Sequence, residues 1–67
     1  MGYRLREIRE DRRMTQEELA AKSGVSRQTI SSIETEPDYN TTFGTLVKLA
    51  DALGTTVDRI FFANSAQ

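Results

Sequence analysis

Sixty-seven residues carrying neither cysteine nor histidine allow one domain with a small core, and they exclude a disulfide framework, a Cys/His zinc site and histidine acid–base catalysis. The formal net charge of −1 does not by itself suggest a nucleic-acid partner. The longest apolar run, Ile60-Phe61-Phe62-Ala63, is far too short for a membrane span or a signal-peptide core, so the expectation is a soluble cytoplasmic domain with no membrane association.

Amphipathic spacing predicts five helices and no strand, an all-α bundle of about 3–13, 16–23, 27–35, 42–53 and 56–62. The first puts Leu5 and Ile8 on one face among arginines. Thr15-Gln16-Glu17-Glu18 then reads as a capping box, in which the threonine hydroxyl and the fourth residue's carboxylate satisfy each other's backbone N–H groups. The second helix stops near Gly24, a residue free to adopt the left-handed conformation common just past a helix end. Ser26 is a good N-cap for the third helix, and Pro37 blocks its continuation. The fourth begins at Thr41 or Thr42 and carries Phe43, Leu46, Val47, Leu49, Ala50 and Leu53 at helical spacing. Gly54 ends it, Thr55 or Thr56 caps a short fifth helix, and residues 63–67 are expected to fray.

The stretch Thr15–Glu34 is the informative one. Two short helices joined through Gly24-Val25-Ser26 must cross steeply, with Ala20, Gly24, Val25, Ile30 and Ile33 meeting at the crossing. Ile30 and Ile33 therefore define the inner face of the third helix. At roughly 100° per residue, the opposite direction falls near Gln28, with Ser31 and Ser32 within about 50° of it and Arg27 at the N-terminal edge. A guanidinium pairs bidentately with guanine and a carboxamide with adenine, and serines are short enough to let a helix lie deep in a major groove. On its own, such a polar face is more often simply a solvated one.

This 15–34 segment resembles the central motif of the Cro/CI-type helix-turn-helix family, the lambda-repressor-like or XRE-type domains, and Leu46–Ile60 resembles that family's fourth and fifth helices. The resemblance implies sequence-specific binding of double-stranded DNA by a transcriptional repressor or regulator, with 27–35 as recognition helix and residues 1–67 a single domain. It implies base contacts from Arg27, Gln28, Ser32 and, less firmly placed, Ser31. It also implies phosphate contacts around Thr15 and Gln16, and an ion pair between Arg9 and Glu34 tying the first helix to the third. An exposed pair of that kind would contribute about 0–1 kcal/mol. Tyr39, Asn40 and Thr42 can donate to phosphate near the start of the fourth helix. Glu36 and Asp38 depart from the family's pattern, and they repel phosphate, so either the loop points away or affinity is modest.

Charge divides unevenly: residues 1–30 hold seven basic and five acidic side chains, residues 31–67 two and five. The leading expectation is a homodimer on a pseudo-palindromic operator, paired through Val57, Ile60, Phe61 and Phe62. The alternative is an antitoxin-like interaction module whose acidic second half holds a toxin-like protein partner, with its own promoter as a further target. Glu17 and Glu18 are accounted for by helix capping and dipole effects, and no enzyme, cofactor or metal is expected.

Overall fold

A computed structural model describes residues 2–36 and 39–62. Five helices dominate: α1 (Leu5–Asp11), α2 (Gln16–Ser23), α3 (Arg27–Thr35), α4 (Phe43–Leu53) and α5 (Val57–Ile60). Local capping sets most of the boundaries. Thr15 Oγ1 accepts from the Glu18 N–H at 3.0 Å while the Glu18 carboxylate accepts from the Thr15 N–H at 2.8 Å, a complete capping box. Ser26 and Thr42 cap α3 and α4 from one side only, accepting from the Thr29 and Thr45 N–H groups. Gly24 and Gly54 close α2 and α4 at φ 79° and 68°, where a side chain would be strained.

The outer two helices are shorter than the periodicity predicts, and the prediction of no strand needs correction. Gly2–Tyr3 (β1) pairs antiparallel with Phe61–Phe62 (β2), in the register Gly2↔Phe62 and Tyr3↔Phe61. The Arg4 N–H donates to the Ile60 carbonyl at 2.8 Å and continues the pairing. Residues 3 and 61–62 thus find backbone partners across the chain ends rather than along a helix, which a four-residue α5 gives little reason to extend. At its other end α1 stops at Asp11 because Arg13 turns left-handed, φ 55°. The Met14 N–H then reaches back to the Arg9 carbonyl at 3.1 Å, a Schellman closure made by arginine instead of glycine.

Leu5, Leu19, Val25, Ile30, Ile33, Leu46, Leu49, Ala50, Leu53 and Ile60 form the core, drawn from all five helices and the α2–α3 turn. Two residues assigned to the apolar stripe of α4 lie outside it: Phe43 is 69% exposed and Val47 36%. Arg12 Nε donates to the Leu53 carbonyl at 2.6 Å, fastening the end of α1 to the last turn of α4. Tyr3 performs a similar service at the other end. Its hydroxyl donates to the Tyr39 carbonyl at 2.9 Å and its ring lies 5.6 Å from that of Phe61, so one side chain joins both chain ends to the α3–α4 loop. Among the described residues no helix is long and apolar enough to cross a membrane.

Candidate functional site

The site is built on α3. Ile30 is 0% exposed and Ile33 2%, so this edge of the helix is sealed into the core and its rotation about its own axis is set. Gly24 makes the turn tight, and Val25, itself buried, plugs the corner between α2 and α3. The face left outward carries Arg27 and Gln28, both exposed, and Ser31 and Ser32, both half-buried. Arg27, Gln28 and Ser31 line one shallow hollow. Thr29 is occupied in capping, since its hydroxyl accepts from Ser26 Oγ at 2.9 Å.

A buried polar cluster holds α3 at the required angle. Arg9 Nε and Nη2 donate to the two carboxylate oxygens of Glu34 at 2.7 and 3.0 Å, while Nη1 donates to the Met14 carbonyl at 2.8 Å. Gln16 Nε2 donates to the same carboxylate at 3.0 Å. The Glu34 side chain is 2% exposed and that of Arg9 10%. The pair that the resemblance implies is formed, and its geometry is that of a buried bidentate fork with a third donor. Hydrogen bonding to Glu34 raises the Arg9 pKa further above its ordinary value against an opposing desolvation effect, so the guanidinium stays charged. The cluster joins α1, the start of α2 and the end of α3.

The residues expected to meet phosphate fall in two groups. Thr15 and Gln16 stand at the α2 N-terminus. Thr15 Oγ1 accepts from its helix and keeps its own proton, and Gln16 Nε2 gives one proton to Glu34 and retains a second. Around the start of α4, Asn40 and Thr42 are exposed while Tyr39 is half-buried and packs against the core. Thr42 Oγ1 caps α4 and shares a 2.9 Å hydrogen bond with Thr45 Oγ1. Glu36 is exposed, and Asp38 lies outside the described residues.

The expected pairing surface changes most. Ile60 is 0% exposed, so it belongs to the core of the single chain and is not available as a contact. Val57 and Phe61 are half-buried, and the side chain of Phe62 lies outside the described set, as do residues 63–67.

One contact escaped the sequence reading. Arg27 Nε lies 3.6 Å from Glu17 Oε2, with the two side chains 63% and 68% exposed. Ten residues separate them, a spacing that signals nothing within one helix; only the steep α2–α3 crossing brings them together. Among the described residues no group of three or more acidic side chains is placed to hold a metal ion.

A helix-turn-helix family model matches residues 5–60. The chain is 40% identical over 60 residues to the immunity repressor protein of Bacillus phage phi105, an alignment covering 90% of this chain and 41% of that one; the chain thus spans less than half that relative's length. Among solved structures it is similar to the restriction–modification controller protein C.AhdI of Aeromonas hydrophila, with 34% identity, a TM-score of 0.78 and coverage of 87% of this chain and 86% of that one. It is also similar to SinR of Bacillus subtilis, a master regulator for biofilm formation crystallised in complex with DNA, with 31% identity, a TM-score of 0.75 and coverage of 81% and 86%. With a family model spanning its whole helical body, the chain belongs to the helix-turn-helix family.

Proposed function

We propose that this protein is a transcriptional regulator, acting as a repressor, that binds double-stranded DNA with α3 in the major groove. The observation that carries this reading is the division of α3 into a sealed edge, Ile30 and Ile33, and an outward face of Arg27, Gln28, Ser31 and Ser32. Arg27 and Gln28 supply the fork and the carboxamide that pair bidentately with guanine and adenine, and the serines keep the helix close to the base edges. Thr15 and Gln16 at the α2 N-terminus, and Tyr39, Asn40 and Thr42 near the α4 N-terminus, are the neutral donors assigned to phosphate, which position a duplex without reading it. The likeness to SinR and to a phage repressor supports the same assignment, in which the protein acts by binding and not by catalysis.

One α3 offers few base contacts, and two related by a two-fold axis supply the affinity that one cannot. The proposed pairing surface is the C-terminal corner, Val57, Phe61 and Phe62. Phe43 and Val47, exposed one turn apart on α4, favour a second reading in which α4 holds a toxin-like protein partner, in addition to or in place of operator binding.

Selection of bound sequences from random duplex DNA tests the proposal. Wild type yields a two-fold related motif, and Arg27→Ala and Gln28→Ala each lose one or two positions per half-site, at about 1–3 kcal/mol. Recovery of no motif, with equal retention of all sequences, refutes sequence-specific recognition. Light-scattering mass at micromolar concentration, with and without that DNA, reports the dimer; a monomer in both removes it.

A further inference from the structure

The 3.6 Å contact between Arg27 Nε and Glu17 Oε2 is not what fixes Glu17 in the fold: its charge suits the first turn of α2 and adds to the field at Arg9, and neither role needs Arg27. Both side chains are mostly exposed, so neither needs neutralising for burial. The capping box of α2 is complete without Glu17, because Glu18 supplies its carboxylate. Arg9, Glu34 and Gln16 already brace α3 against α1 and α2. What Glu17 does touch is the one arginine at the N-terminal edge of the outward face of α3.

We propose that Glu17 is a specificity-determining positioning residue: by pairing its charge with the Nε side of Arg27 from α2, it biases the guanidinium toward conformers whose Nη1–Nη2 edge addresses a guanine. The inference rests on the DNA-binding reading above. An exposed arginine has many rotamers and loses much side-chain entropy when it settles on one base. Its planar fork carries five donors, so a carboxylate at Nε leaves both terminal nitrogens free for the O6 and N7 acceptors of guanine. An unheld guanidinium takes phosphate oxygens as readily as a base, because phosphates accept the same fork. Glu17 also stands in the first turn of α2, beside the helix terminus where a phosphate would settle. Its negative charge opposes capture of Arg27 by the backbone and leaves guanine, a neutral acceptor, comparatively favoured. Helix α2 thereby decides how faithfully α3 reads.

The test uses the whole chain and the motif selected by wild type. Glu17→Gln keeps the shape and removes the charge, Arg27→Ala removes the reader, and the double variant closes the cycle. Dissociation constants are measured on duplexes carrying each base pair in turn at every motif position, and circular dichroism melts verify folding. At the base pair whose preference Arg27→Ala abolishes, Glu17→Gln narrows the margin for the favoured base by about two- to five-fold, the range that an exposed ion pair supports. Positions read by Gln28 keep their preferences, and adding Glu17→Gln to Arg27→Ala alters no preference. Equal tightening of Glu17→Gln on every duplex, surviving in the Arg27→Ala background, overturns the inference and makes Glu17 a plain phosphate repellent. An unchanged margin at the Arg27 position overturns it as well. Failure of wild type to select any motif sinks the functional reading itself, an outcome distinct from both.

Discussion

Glu34→Ala is the most informative single change to the fold. The Glu34 carboxylate accepts three hydrogen bonds, two from Arg9 and one from Gln16, at 2.7–3.0 Å, and is 2% exposed. Truncation leaves Arg9, whose side chain is 10% exposed, with its Nη1 bond to the Met14 carbonyl but with Nε and Nη2 unpartnered. Removing one member of a buried pair costs about 3–5 kcal/mol, most of it the uncompensated charge left behind. Better helix propensity returns a few tenths of a kcal/mol, and the partial exposure of the guanidinium favours the lower end, about 3 kcal/mol. A 67-residue domain has a stability on the order of 3–10 kcal/mol in total. The variant therefore loses a large share of its stability, with a urea midpoint lower by about 2–3 M and a melting temperature lower by roughly 12–24 °C. Urea titration followed by helix ellipticity measures this. The double change Arg9→Met with Glu34→Leu removes both charges and recovers most of the loss, stopping about 1–2 kcal/mol short because the Met14 carbonyl and the Gln16 amide lose partners. A Glu34→Ala cost below about 1 kcal/mol would mean that the pair behaves as an exposed one, and the reasoning would be wrong. The Arg9 side introduces no pH dependence near neutrality. A raised pKa gives stability that is present below the unfolded value and lost as pH rises through the folded one, and both lie at the alkaline extreme.

Two backbone predictions follow from the left-handed residues. Arg13→Gly relieves the φ 55° conformation that closes α1 and stabilises by about 0.5–1 kcal/mol, read as an upward shift of the urea midpoint; a loss of stability would show that the arginine side chain contributes more than its backbone costs. Gly24→Ala meets no heavy atom within 4 Å, so its cost is the φ of 79° alone, about 1 kcal/mol by thermal melt; a neutral result would mean the turn relaxes to another conformation.

How far the chain could be read in advance depends on how far apart its interacting groups lie. The middle helices were legible because their signals are local: the Thr15/Glu18 box, the Ser26 cap, Gly24 and Gly54 each act within four residues. The inward edge of α3 was legible for the same reason, since Ile30 and Ile33 are one turn apart and α-helical geometry fixes what stands opposite them. The chain ends were not. Tyr3 finds Phe61 across almost the full length of the sequence, and a two-residue pairing has no periodicity to detect, so helical spacing extends over residues that pair as strands. Ile60, assigned to a surface by its apolar company, proved to be core.

The amino-acid order alone determined the helix-turn-helix grammar and the identity of the side chains on the outer face of α3, because capping chemistry and helical pitch are properties of neighbours along the chain. Tertiary structure decided what those neighbours are pressed against. It buried the Arg9–Glu34 fork and gave it Gln16 as a third donor, it set Glu17 beside Arg27, and it left Phe43 in solvent. Each of these depends on the angles at which helices cross, and an ion pair's energy depends on the dielectric around it, so residue type and spacing could name the partners without setting their worth.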